Sequence, residues 1–453
     1  MRTKMATVVA LVMVLGMLFS ACQTAPQSNA PDPAAPAEAT AAPSTREPAE
    51  QGKTKLTMIT AGGGFWETPM AEVEKAYEDS HPDVDLNIEI YGYEQLFQVI
   101  ESKIAGGTDE YDVIAVDAPL VAAYTYRGYL KPLDAYFTKD EQALYIDSSL
   151  KASIWDGKFM AAPLETSASL VFYNKTLLKE AGIDFNPEDP FYKPTWEQIA
   201  DMSKQFMQTS DPDGSKGYFG FSFEQVSRPY TMLALANSLG EKGVADDGFT
   251  VDGVLNTPGW VKAMTYYGDM FKDGVSLRGI KSEEFSPLFF AGKALFHWGG
   301  PWNWYTCQAT TNYEFGMMLT PAFEGYEDKA ATNTGSWHLG INANSKNEEL
   351  AAEFIKWISI GEGNQVWINA SRDVPALKSS LDALVNNPDT DTVYKLCVYD
   401  ALNTGYPRPV TPGYSEFETV TSAAFEDIRN GTDPQEALDS AVAQINTLFK
   451  KYK

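Results

Sequence analysis

Beyond residue 52 the sequence predicts an α/β protein built as two lobes, and three observations predict it. Strand and helix patterns alternate at the start of this region in the order that gives a mostly parallel sheet. About 400 residues remain, too many for one ordinary core. Helices with strong start signals recur to the end of the chain, with no internal repeat.

Leu56, Thr57, Met58, Ile59 and Thr60 read as a first buried strand running into Ala61 and the glycines 62–64, where the backbone can turn or approach a ligand closely. Thr68 is a good helix cap with Pro69 at the first helical position, and Met70, Val73, Ala76 and Tyr77 fall on one face. Val84, Leu86, Ile88 and Ile90 alternate with Asp85, Asn87 and Glu89, which predicts a strand with one wet face. Glu94 to Ile104 reads as a helix and Asp112 to Asp117 as a short buried strand. Later, Thr195 to Gln198 has capping-box spacing ahead of the stripe Ile199, Met202, Ser203 and Phe206. A helix over Glu348 to Ser359 is striped by Ala351, Phe354, Ile355 and Ile358. Asp433 and Pro434 open the last one, striped by Leu438, Ala441, Val442, Ile445 and Phe449. The run from Asp211 to Gly217 is a turn, because the spacing of a calcium loop is missing.

The N-terminus is a different kind of sequence. Arg2 and Lys4 precede an apolar run from Met5 to Phe19, then small Ser20 and Ala21, then Cys22. Such a span is an export signal and too short for a bilayer-crossing helix, and no second apolar run is long enough to cross. The placement of Cys22 resembles a bacterial lipoprotein signal, which implies a lipid on that cysteine and attachment to the cell membrane. Residues 23–52 are Pro, Ala, Thr and Glu with little to bury, hence a solvated tether.

The formal net charge is −26, with 61 acidic against 35 basic residues. Nucleic acid and anionic lipid surfaces would repel such a chain. Three histidines, at 81, 297 and 338, form no zinc-type pattern, and no metal or cofactor is expected. Cys307 and Cys397 could pair in an oxidising compartment or stay as buried free thiols.

Ligands of open parallel sheets bind beyond the carboxyl ends of strands, which singles out Asp117, at the end of its strand and before Ala118 and Pro119. Its competing role is to cap the helix after Pro119. The stretch LFFAGKALFHWGGPWNW sets Trp298, Trp302 and Trp304 around a Gly-Gly-Pro turn. Indole faces suit the C–H patches of a pyranose, whose hydroxyls need carboxylates, amides or guanidinium groups. Trp298 reads as core, whereas Trp302 and Trp337, flanked by glycines, read as cleft residues. Glu67 and Glu165 are candidate hydroxyl acceptors, and Arg408, between two prolines, could donate a forked pair of hydrogen bonds or pair with a local carboxylate.

In this order the segments YDVIAVDAPLVAAYTYRGYLKPLD, APLETSASLVFYNKTLLKEAGID, PTWEQIA, FAGKALFHWGGPW, TGSWHLGINANSKNEELAAEFIKWI and RPVTPGYSEF resemble the extracellular solute-binding proteins of carbohydrate ABC importers, the maltose- and trehalose-binding type. The resemblance implies a periplasmic-binding-protein-like type II fold, two discontinuous α/β lobes around a hinged cleft. The crossovers fall near Glu165, Gly335 and Pro375, giving one lobe of 53–165 with 335–376 and another of 166–334 with 377–453. It makes Glu67 and Asp117 hydroxyl ligands of the first lobe, Glu165 a crossover ligand and Trp302 a stacking platform, with Trp337 and Arg408 lining the cleft. The implied partners are a di- or oligosaccharide and the permease, with the binding protein a monomer and not an enzyme. Two readings from other classes are a secreted glycosidase using Asp117 and Glu165 as its carboxylates, and a surface adhesin.

Overall fold

A computed structural model describes residues 52–453 apart from 63–65, 186, 188, 190 and 336. The export signal, Cys22, the tether up to residue 51 and two of the three glycines at 62–64 lie outside the described residues.

The alternating pattern at the start of the region becomes a six-stranded sheet. Its order is Val84–Tyr91, Thr54–Ala61, Val113–Asp117, Trp337–Asn342 and Leu130–Lys131, with Ala162–Pro163 also paired to Trp337–Asn342. The first three strands are parallel. Trp337–Asn342 enters from far along the chain and runs antiparallel, which sets Trp337 directly opposite Asp117. Buried residues cover both faces. Leu56, Met58, Val113, Leu339 and Ile341 pack with Ile355, Ile358 and Trp367 on one side, and Ile59, Ile114 and Val116 pack with Leu96, Ile100 and Val121 on the other.

A second sheet has the order Phe219–Phe223, Ala294–Gly299, Leu170–Asn174 and Phe315–Met318, parallel only in its first pair. The first three of these strands are buried along their whole length and read as near-continuous apolar runs, as strands covered on both faces do. Their core is the larger one and takes in the last two long helices, Tyr414–Asn430 and Pro434–Leu448. Short strand pairs lie outside the two large sheets. Glu165–Thr166 pairs with Val374–Pro375, and Thr332–Thr334 pairs with Gly405–Pro407.

Local expectations meet the structure with a few corrections. The helix Glu348–Ser359 has the bounds its stripe predicts, the capping box at Thr195 is formed, and Asp433 caps Pro434–Leu448. The first helix starts at Glu67, not after Thr68, because Trp66 already donates its backbone N–H to Gly62 at 3.0 Å and opens the turn. The helix Tyr93–Val99 continues as a π turn, Ile100–Ile104. The strand Val84–Tyr91 has no wet face at its start, since Asp85 and Asn87 are buried. Its edge is covered instead by Glu74 and Glu78, which accept from Ile88 and Leu86 N–H. Asp117 makes no capping hydrogen bond to the short helix after it. Cys307 and Cys397 are both free and buried. No described helix is long and apolar enough to cross a membrane.

Candidate functional site

Where the strands of the first sheet end at Asp117 and Trp337, a cavity of about 310 Å³ opens against residues that follow strands of the second sheet. Asp117, Glu165, Trp302, Trp337 and Arg408 all line it. Glu67 does not. It is the exposed first residue of its helix, and the cavity takes its neighbour Trp66 instead.

Asp117 and Arg408, 291 positions apart, meet as a buried bidentate pair. Nη1 donates to Oδ2 at 3.0 Å and Nη2 donates to Oδ1. Such forked geometry is the strong form of the Arg–carboxylate bond. Arg408 sits between Pro407 and Pro409, with its guanidinium 5.1 Å from the Tyr230 ring and 5.7 Å from the Tyr414 ring. Tyr93 adds a third donor to Asp117 at 3.3 Å. Arg228 bonds Glu418 at 3.0 Å and the Tyr93 hydroxyl at 3.4 Å.

Glu165 and Asp373 form a second acidic centre where Glu165–Thr166 pairs with Val374–Pro375, the residues after Asp373, with the two carboxyls within hydrogen-bond reach of one another. Burial, and then the Asp373 charge, push Glu165 well above the usual carboxylate range, while the Trp337 backbone N–H pulls it down. Burial raises Asp373 as well, against donors that include Trp66 Nε1–H at 3.0 Å. Two neighbouring carboxyls in a low dielectric hold a proton between them.

Around these charges stand flat rings. Trp302 is 44 % exposed, yet its orientation is fixed, because its Nε1–H donates to Glu224 Oε1 at 2.5 Å and the other Glu224 oxygen accepts from Gly300 N–H at 2.8 Å. Burial raises the Glu224 carboxyl, and these two donors pull it back. Gly300 is required for the fold-back, since a Cβ there would meet the Trp302 ring at 2.1 Å. Gly62 plays the same part for Trp66, with a Cβ contact of 2.6 Å and a φ of +135°. Tyr230 lies 6.5 Å from Trp302 between ring centroids, and Trp66 lies 6.2 Å edge-on from Trp337. Trp298 is fully buried in the core.

The model of the bacterial extracellular solute-binding protein family matches residues 62–359. The chain belongs to that family. Within it, the galactooligosaccharide-binding protein of Bacillus subtilis is 28 % identical over 378 residues, 81 % of this chain and 83 % of that one. The receptor GacH of Streptomyces glaucescens, solved free and with acarbose, superposes with a TM-score of 0.74 at 19 % identity, over 88 % of this chain and 100 % of its own. An ABC substrate-binding protein of Listeria monocytogenes, solved with cycloalternan, gives 0.72 at 22 % identity, over 87 % of this chain and 99 % of its own. The fold of this family member is therefore the periplasmic-binding-protein-like arrangement of two α/β lobes around a cleft.

Trp66, Tyr93, Gln225, Arg228, Tyr230 and Asp373 line the same cavity and were not singled out by the sequence. Two carried a backbone signal. Ser227 before Arg228 and Arg372 before Asp373 hold positive φ of 62° and 58°, rare for residues with a side chain and concentrated at functional sites.

Proposed function

We propose that this protein binds a di- or oligosaccharide outside the cytoplasm and presents it to the permease of an ABC importer when two hinged lobes close. One observation carries the reading. A single cavity holds a fixed, exposed indole that follows a strand of the second sheet, Trp302, and the indoles of Trp66, after a strand of the first sheet, and Trp337, within it, with carboxylates and the Gln225 amide among them. Apolar ring faces plus acceptors for hydroxyls are what a pyranose needs. The sugars named for the Bacillus subtilis relative and for the Streptomyces and Listeria neighbours point to the same ligand class.

The lobes comprise 53–165 with 335–376 and 166–334 with 377–453. The pairing of Glu165–Thr166 with Val374–Pro375 supports hinges at those stretches. Contacts made by one sugar to both lobes would favour the closed state, the form a permease recognises. Glu67 has no part in this reading. Asp117 acts through Arg408, because both its oxygens are already taken. That occupation also argues against Asp117 as a glycosidase acid or nucleophile, and the family binds solutes. The protein works as a monomer held by a lipid on Cys22, with residues 23–52 as the tether.

Isothermal titration of the mature protein against neutral di- and oligosaccharides tests the binding claim: saturable 1:1 heats are expected, and silence across the panel would overturn it. Cys22→Ser should release the protein from the membrane fraction, and unchanged membrane retention would remove the lipid from the account.

A further inference from the structure

The charges lining the cavity do not balance. Arg408 is matched by Asp117 and Arg228 by Glu418. Among the described residues, no lysine or arginine forms an ion pair with Glu165 or Asp373. Glu165 is only 8 % exposed, and a buried acidic pair without a countercharge is costly unless something supplies one. The cavity has a further unmatched acceptor, since the Gln225 side-chain oxygen is buried there with no partner. Arg408, 6 % exposed and also lining the cavity, leaves its Nε–H without one.

The geometry points to a sugar that carries a protonated amine, its ammonium held by Glu165 and Asp373 beside the indoles of Trp66 and Trp337. This rests on the sugar-binding reading and narrows its ligand class. An ammonium brings three donors and a positive charge, so it can bond both carboxylates at once and displace the proton they share, which leaves to solvent. A hydroxyl brings one donor and leaves the charge uncompensated. Indole faces attract a cation through the ring quadrupole, most strongly where water is excluded. Trp66 is bound to Asp373 through its Nε1–H, so its ring stands next to the pair. The net charge of −26 favours the approach of a cation as well. A uronate or sugar phosphate would meet the acidic pair with both cavity guanidiniums already matched.

The test runs the neutral panel beside the 2-amino and N-acetylated counterparts of the same sugars, by isothermal titration at neutral pH on the mature protein. The aminated form should bind about tenfold or more tightly than its neutral and acetylated partners, the scale of a hydrogen bond to a charged group. In Glu165→Gln and in Asp373→Asn that preference should shrink to about threefold or less. Neutral sugars binding as tightly as their amines in the unaltered protein would overturn this inference and leave the sugar reading standing. An amine preference that survives in both variants would also overturn it. No heat from any sugar would overturn both.

Discussion

Replacing Trp302 by alanine separates a binding platform from a structural tryptophan. The ring is 44 % exposed. A whole indole offers about 250 Å², so roughly 110 Å² is open to a ligand. Covering half of that at about 25 cal/mol per Å² is worth about 1.4 kcal/mol, one decade in Kd. Titration of the best sugar from the panel should therefore give a Kd about tenfold weaker in Trp302→Ala. The melting temperature should fall only modestly, since the ring belongs to none of the hydrophobic cores and the cost is one donor lost from the buried Glu224. Gly300→Ala should do similar damage without removing the indole, because its Cβ would enter the space of the ring, 2.1 Å away. A Kd unchanged in both variants would refute the platform, and a large loss of stability in Trp302→Ala would show the ring to be structural.

Asp117→Asn leaves Arg408 buried and unpaired, so urea unfolding should show a loss of about 3–5 kcal/mol, and a loss below about 1 kcal/mol would mean the pair is relieved by water. Burial holds His297 neutral down to a pKa of about 3, while the unfolded ring charges below about 6.5, so its contribution to stability is lost as pH falls through that window, by about 1.4 kcal/mol per unit. In His297→Gln the stability gap to the parent should narrow by about 2 kcal/mol between pH 7 and pH 5, and a constant gap would contradict the burial argument. Cys307 and Cys397 are buried as free thiols, and burial pushes the Cys307 thiol up to about 12. A thiol reagent should label neither in the native protein and both in denaturant, and rapid native labelling of either would place it at the surface.

Much of the fold was legible because its signals are local. The stripe of Ala351, Phe354, Ile355 and Ile358 and the capping box at Thr195 each involve residues a turn apart; the first helix has the predicted bounds and the second opens on the predicted box. The site was legible where a residue's neighbours in sequence also fix its surroundings. Gly300 and Pro301 turn Trp302 outward, and the buried strand Val113–Asp117 carries Asp117 to the sheet end. What escaped depends on distant pairing. Asp117 was a candidate and Arg408 was another, but their bond spans 291 residues and has no local signature. Asp373 became part of the site only because Val374–Pro375 pairs with Glu165–Thr166. Glu67 was chosen over Trp66 because a carboxylate after glycines looks like a ligand, whereas Gly62 in fact makes room for the indole.

The central claim is that a sugar is held in the cavity of Trp66, Trp302, Trp337 and the Glu165–Asp373 pair. Native mass spectrometry of protein purified without a wash or refolding step tests it most directly. The account predicts an adduct of saccharide mass, released on denaturation and depleted in Trp302→Ala. An adduct of amino-acid, peptide or phosphate composition at the same occupancy in both proteins would contradict it.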